Sequence, residues 1–535
     1  MRTNLRKLGG IAKARGFGLA LLPLVCSLSL AQQQETKPTP KLPLSRETTY
    51  FSGPLDKDGY VDYASALNAY FGQGIKPEDN AYVALITAVG PSPQSGPPLP
   101  ESFFQALGID PLPVDGDYFL SVTGYLANKF QLPIEALVQA DDQLRKAWRY
   151  PWQADDYPLV MVWLRDYENL LNRLSLELQR PRYFRPLIPN LTLIEQPLPD
   201  VQAFRELAYA YLARAMLRTR HGLYRLAWDD LLTVKRVGRM MRQGPTIIEV
   251  LAGSALESLA GSALNVYIGT ASLDGDTWMR YQQQWRNVAS LSTWRTSLAF
   301  KSRAEVLDLV QLVHRGRFLD QTPSLAALGF PAPTTEFEHR LLLNGLDWEE
   351  LLRTVNRWFD RCEECLKEPD LAAFKKHLDQ LETELGQTAK RVNVLGQQLR
   401  WPLIMAYVLA GKKRTAARCW AVNLAHQTSQ LWQRISTSLS RTEEMDRLLD
   451  VAFALARYHD QTGKYPDRLE QLVPGFLPRI EPDLFSGKPP IYRRTGKGYV
   501  LYSVGPNGVD DNGRSFEDVP RGDDIVLRMP PAPPR

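Results

Sequence analysis

The stretch "FRELAYAYLARAMLRTRHG" (Phe204–Gly222) runs directly into "LYRLAWDDLLTVKRVGRMMRQGP" (Leu223–Pro245). Apolar residues recur through both halves at helical spacing, which argues for helices rather than strands. Ala215 and Ala227 offer small residues where the two would cross, Gly222 marks the turn, and Gly244-Pro245 supplies the stop. Working outward, the chain reads as helix upon helix from about Asp156 to Arg441. "YPLVMVWLRDYENLLNRLSLELQ" (Tyr157–Gln179) is apolar at Val160, Leu164, Leu171, Leu174 and Leu178. Later helices are expected over Thr293–Arg315, Trp348–Lys367, Leu371–Leu399 and Ala416–Leu439. The fold class is therefore mainly α.

The Phe204–Pro245 pair resembles a tetratricopeptide-type helical hairpin. No clean recurrence at the roughly 34-residue period of such arrays follows it, so it is read as one hairpin. "TIIEVLAGSALESLAGSALNVYIG" (Thr246–Gly269) comes next, and its Ala, Gly and Ser steps would let neighbouring helices approach closely. Glu249 and Glu257 would be costly in lipid, so this segment is expected to be a buried central helix rather than a membrane span.

The chain has 535 residues, 44 % of them hydrophobic and 23 % charged, which is the composition of a folded protein. Its formal net charge of +5 comes from one end. Arg2, Arg6, Lys7, Lys13 and Arg15 precede any acid, and without these five of the 64 basic residues the rest balances 59 acids. A neutral remainder gives no reason to expect a nucleic-acid surface. The basic start leads into "FGLALLPLVCSLSLA" (Phe17–Ala31), with small residues before Gln32, so residues 1–31 are expected to be an export signal. The apolar run is short of the roughly 20 residues of a spanning helix, and an uncleaved anchor there would be the only route to a membrane. Cys26 raises lipoprotein processing, but Val25 before it is bulkier than that processing wants. Residues 32–46 read as a polar, Pro-bearing linker. Residues 47–150 read as a mixed helical region, 151–440 as the helical domain, 441–530 as a separate α+β module and 531–535 as a disordered tail. The expected location is the periplasm or cell envelope.

The C-terminal module has its own grammar. Ser440–Glu443 has capping-box spacing, and "EEMDRLLDVAFALARYHDQTG" (Glu443–Gly463) follows as a helix closed by Gly463. "DRLEQLV" (Asp467–Val473) reads as a short helix. "PPIYRR" and "GYVLYSV" alternate as strands across a Thr495–Gly498 hairpin turn, and "DIVLRM" reads as a last strand. Between them lies "YSVGPNGVDDNGR" (Tyr502–Arg514), crowded with turn formers and acids. Asn507, Asp510, Asp511, Asp523 and Asp524 could supply the oxygens that calcium wants if the two arms of the loop meet. An acidic surface turn with no ion explains the same residues, because Asn-Gly and Asp-Asn-Gly favour tight turns.

The order helix, "GKYPDRLEQLV", "DLFSGKPPIYRR", "GYVLYSVGPNG" and "GDDI" resembles the globular part of the major pseudopilins of type II secretion. The resemblance implies a helix packed on a small sheet and a last loop that binds calcium in a structural role. Asn507 stands where that family has Asp, and Gly522 stands where the first acid of the final motif would be. Asp510 and Asp511 are extra acids that could compensate. Gly16-Phe17 is present, but Leu21 replaces the Glu that pilin export needs. The rest of the chain is similar to large exported proteins of bacteria with elaborate envelopes, a likeness that implies architecture and compartment and carries no activity.

Catalytic motifs are sparse. Cys362-Glu-Glu-Cys365 has redox spacing but lies on an apolar stripe late in a helix, with Leu351, Val355 and Trp358, so buried structural thiols are expected. His221, His314, His339, His377, His426 and His459 show no i, i+4 or H-E-x-x-H spacing. Asp141-Asp142, Asp155-Asp156 and Asp229-Asp230 read as solvated helix ends. "YPWQ", "RPRYF" and "NRWFDR" mix rings with Arg as carbohydrate- or peptide-binding grooves do, and Arg–aromatic packing inside a helical domain predicts the same pattern. The leading functional expectation is an exported, non-enzymatic binding or scaffold protein whose partner is another envelope component. An envelope hydrolase with carboxylates drawn from separate helices is the alternative.

Overall fold

Apolar residues at intervals of three and four build most of the molecule as helices. The computed structural model describes residues 39–288, 294–317, 335–368, 371–392 and 400–531. The expected export signal, the start of the linker, residues 393–399 of one expected helix, and the tail beyond 531 lie outside the described residues.

The N-terminal part is α1 (Tyr63–Phe71), α2 (Ala81–Val89), α3 (Glu101–Leu107), α4 (Val122–Phe130), α5 (Ile134–Ala147), α6 (Pro158–Asp166) and α7 (Glu168–Glu177). The long helices are α8 (Pro199–Arg220), α9 (Tyr224–Met241), α10 (Ile247–Thr270), α11 (Gly275–Asn287) and α12 (Trp294–His314). Then come α13 (Glu336–Gly345), α14 (Trp348–Leu366), α15 (Leu371–Val392), α16 (Arg400–Leu409) and α17 (Lys413–Thr462). The chain ends in an antiparallel sheet of order β1 (Ile491–Thr495), β2 (Gly498–Ser503), β3 (Ile525–Met529).

The expected hairpin is α8 and α9. Ala215 and Ala227 are fully buried, and Gly222 takes φ +71° at the turn, a conformation that glycine adopts without strain. α10 is long and apolar enough to cross a membrane, the one such helix among the described residues, yet most of it is buried in the body. Glu249 and Glu257 both lie inside the protein. Thr246 and Glu249 cap its start reciprocally, which satisfies N–H groups that a buried helix end would otherwise strand.

Tyr157–Gln179 forms two helices that meet at Tyr167, whose hydroxyl accepts from Leu120 N–H and donates to the Tyr118 carbonyl, both at 3.1 Å. Buried beside Phe119 and Trp163, Tyr167 is placed by tertiary contacts that the helical spacing does not register. One expectation is corrected here: Ser440–Glu443 does not start a helix. It lies in the middle of α17, a single helix of 50 residues and about 75 Å. Thr442 Oγ1 donates back to Ser438 O at 3.2 Å and bonds Ser254 and Ser258 of α10 at 2.7 and 3.1 Å. A hydroxyl so used keeps the helix running instead of capping it.

Two hydrophobic cores result. One gathers α2–α11, the residues Leu448–Ala456 of α17, and Tyr499, Leu501, Leu527 and Met529 of the sheet. The other gathers Leu42, Tyr60–Leu67, α12–α16 and the first half of α17. α17 is shared by both: its residues up to Leu439 belong to the second core and Leu448–Ala456 to the first, and both cores draw on residues on either side of position 150/151. The sheet follows the expected strands and turn, with Thr495 opposite Gly498 and Tyr499 opposite Met529. "DRLEQLV" forms only a 3-10 turn, Leu469–Leu472.

Candidate functional site

The acidic loop between β2 and β3 joins four of the five expected residues, Asn507, Asp511, Asp523 and Asp524, in one hydrogen-bond network, and Asp510 is held beside it by other partners. Asp524 is buried, and its two carboxylate oxygens accept from Asp511 N–H at 3.3 Å and Gly513 N–H at 2.7 Å. Burial raises its carboxyl above the ordinary value, those two N–H groups pull it down, and Asp511 and Asp510 nearby push it up again. Asp523 N–H donates to Asp511 Oδ2 at 2.7 Å, and Asp523 Oδ2 accepts from Asn507 N–H at 3.0 Å. Asn507 Nδ2 donates to Asp511 Oδ2 at 3.3 Å. Asp510 Oδ1 accepts from Tyr502 OH at 3.0 Å and Asn512 N–H at 2.7 Å. The two arms of the loop therefore meet, with the carboxylates turned onto N–H and O–H donors.

Calcium takes roughly six to eight oxygens converging on one point. Among the described residues no group of three or more His, Cys, Asp or Glu side chains is placed to hold a metal ion. The donor set fits a hydrogen-bonded turn better than a cation cage. Arg441 of α17 supplies a positive charge instead, its Nη1 lying 2.6 Å from Asp523 Oδ1.

Elsewhere in the body, charged residues of α9, α10 and α17 form a largely buried network. Lys235 and Arg242 pair with Glu257 at 3.1 and 2.9 Å, and Lys235 and Arg239 pair with Asp446 at 2.5 and 2.8 Å. Trp285 Nε1 donates to Asp446 Oδ1 at 3.0 Å, and Lys235 Nζ sits 4.8 Å from the Trp285 ring centre. Burial works to raise Asp446, but Lys235 and Arg239 outweigh it and hold the carboxyl below its usual range. A cavity of about 250 Å³ adjoins the network, lined among others by Arg239, Trp285, Glu444, Asp446, Asp450 and Leu477.

Glu444 is the opposite case to Asp446. It is buried, burial pushes it up to about 7, and its Oε2 accepts from Leu484 N–H at 2.9 Å. Two carboxyls whose environments push their acidities apart are a familiar acid–base signature. These two stand two positions apart on α17, about 200° around the helix, and both reach the edge of that one cavity. Asp446 meets Lys235 and Arg239, and Glu444 meets the Leu484 backbone, so each carboxyl already has a partner inside the protein.

The remaining expected features are placed as follows. Cys362 is buried and Cys365 half-buried near the C-terminal end of α14, and burial pushes both thiols up. Asp230 is not a solvated helix end. It is buried and bridges Arg214 at 2.6 Å and Arg218 at 2.8 Å, because its side chain points back into the α8–α9 hairpin. Arg185 is also buried, with Asp200 at 2.7 Å and Phe103 beneath the guanidinium. Arg303 lies over Tyr50 and Phe359, so Phe359 of "NRWFDR" takes part in Arg–aromatic packing, one of the two readings of that stretch. Sequence reading missed Glu257, Asp446 and Arg441 as partners. Their only local signal is a charge on an otherwise apolar stripe.

No family model, no curated protein and no solved structure matches the chain.

Proposed function

We propose that the chain is an exported, non-enzymatic binding or scaffold protein of the cell envelope, in which a pseudopilin-like module presents a fixed loop to another envelope component. One observation carries this reading. Val509, Phe516 and Val519 are 58 %, 63 % and 85 % exposed on the loop between β2 and β3. The same loop is held by the Asp511–Asp523–Asp524 network and by the Asp518–Arg528 pair at 2.7 Å. Large apolar side chains held out in water on an ordered backbone are a docking feature, because a partner that covers them releases their hydration at little cost in loop entropy. Acidic side chains stand among them, so a partner surface with an apolar centre and a basic rim is complementary. The body contributes rigidity: α17 runs from the second core to the sheet without interruption.

The test is cross-linking in the native host. A photo-reactive residue at Phe516 or Val519 is expected to give a discrete heavier product in the envelope fraction, and a control at the exposed Leu409 is not. Recovery of the chain in the cytosol, or no product from either loop position, overturns the proposal.

A further inference from the structure

The acidic loop needs positive charge to close, since Asp510, Asp511, Asp523 and Asp524 are drawn together within it. In the family that the module resembles, that charge would be a calcium ion. Here three guanidinium groups stand against the acids. Arg441 Nη1 lies 2.6 Å from Asp523 Oδ1, and Arg514 Nη2 and Arg493 Nη2 lie 3.8 Å from Asp511 and Asp510. Arg441 differs from the other two in origin: it comes from the middle of α17, outside the sheet and its loop. It reaches an aspartate that ties both arms, because Asp523 accepts from Asn507 N–H with one oxygen and donates its own N–H to Asp511.

Position 522 completes the argument. The resemblance places an acid there, and this chain has glycine. A Cβ on Gly522 would stand 2.2 Å from the Arg514 carbonyl oxygen and 2.8 Å from Asp511 Cβ. The closed loop therefore has no room for a side chain at the place where a further metal ligand would be attached. At Gly505, φ is +68° and a Cβ would stand 2.2 Å from the Asp523 carbonyl oxygen, so the opposite arm is equally close.

We infer that the Arg441 guanidinium takes the place of a metal ion in this module: it is the cation that closes the acidic loop, and the loop keeps its structure without calcium. A guanidinium is a fixed charge that does not depend on ion supply. Its position in α17 makes loop closure a consequence of the helical body being folded. The inference sets the contacts of the loop beside the calcium loop that the likeness to pseudopilins implies.

The experiment uses the full chain and its Arg441→Met, Arg441→Lys and Asp523→Asn variants. Thermal unfolding and trypsin cleavage after Arg514 and Arg521 are measured in millimolar calcium and in chelator, with helicity followed by circular dichroism. The wild type is expected to unfold at the same temperature and to be cut at the same rate in both conditions. Arg441→Met is expected to keep its helicity and be cut about tenfold faster, since losing a charged hydrogen bond opens the loop more often. Arg441→Lys is expected to fall between the two, because it keeps the charge and loses the fork. If Arg441→Met does not fold, Asp523→Asn removes the same ion pair and carries the test. A rise in the wild-type unfolding temperature with calcium, or unchanged cleavage in both Arg441→Met and Asp523→Asn, overturns the inference.

Discussion

Gly253 of α10 lies against Gly238 of α9 so closely that a Cβ at position 253 would stand 2.4 Å from the Gly238 carbonyl oxygen and 2.8 Å from the Arg242 amide nitrogen. Backbone meets backbone, so no side chain can swing away to make room. At Gly261 of the same helix the nearest atoms are the Met445 side chain at 3.0 Å and the Leu449 side chain at 3.3 Å, both able to shift. Alanine gains about 1 kcal/mol of helix propensity over glycine, and overpacking costs about 1–3 kcal/mol. Gly253→Ala is therefore expected to destabilise the chain and Gly261→Ala to be neutral or stabilising in urea unfolding. Equal effects at the two positions would remove the close crossing.

Glu257 faces three cations. It receives Arg242 at 2.9 Å, Lys235 at 3.1 Å and Arg239 at 2.7 Å, the last two as ion contacts on Oε2 without hydrogen-bond geometry. Glu257→Gln would leave buried positive charge uncompensated, and breaking such a pair costs about 3–5 kcal/mol. Glu349→Gln breaks the exposed pair with Arg353 and is expected to cost under about 1 kcal/mol. Denaturant midpoints of the two variants give the comparison, and similar losses in both would contradict a buried network.

Glu444 sets a pH dependence whose sign follows from its surroundings. Burial raises it to about 7 in the folded chain, against about 4.3 when unfolded. Between those values the folded chain holds a proton that the unfolded chain has lost, so this group makes stability fall as pH rises through the window and level off above it. Below the window Glu444 is neutral in both states. Glu444→Gln keeps an oxygen for Leu484 N–H and removes the charge. Its stability relative to wild type should grow from about pH 4.5 to 7 and then stay constant. A difference that does not change with pH in urea titrations would place Glu444 in water.

Native-state thiol labelling tests the cysteine pair. Cys362 is fully buried and its thiol is pushed well up by burial, and Cys419 is likewise buried and pushed up to about 11. Among the three cysteines of the described residues, only Cys365 is within reach of solvent. An aromatic disulfide reagent is expected to label Cys365 slowly and the other two only in denaturant, because the thiolate is the reactive form. Fast native labelling of Cys362 would restore a redox role.

The legible parts of this chain are those written locally. The α8–α9 hairpin shows in helical spacing and in Gly222, and the sheet shows in period-two alternation around Thr495–Gly498. The five residues of the acidic loop were legible as a group for the same reason, since they crowd two short segments at a sheet end. What they do with their oxygens was not legible. Asp523 meets Arg441 across 82 residues, and Asp446 meets Lys235 across 211. Ser440–Glu443 misled because capping-box spacing is also compatible with a mid-helix stretch, and only the hydroxyls of Ser254 and Ser258 facing Thr442 decide between them. Asp230 misled because a charge beside a turn looks solvated until Arg214 and Arg218 of the neighbouring helix are in place.

The amino-acid order by itself determined that this is a helical protein closed by a small antiparallel sheet, since periodicity, turn glycines and proline stops act over a few residues at a time. Only the tertiary structure decided which charges are buried, which helix is continuous, and which cation meets the acidic loop. Ion pairs and hydroxyl contacts depend on distance in space, and chain separation fixes that distance only after the helices have packed.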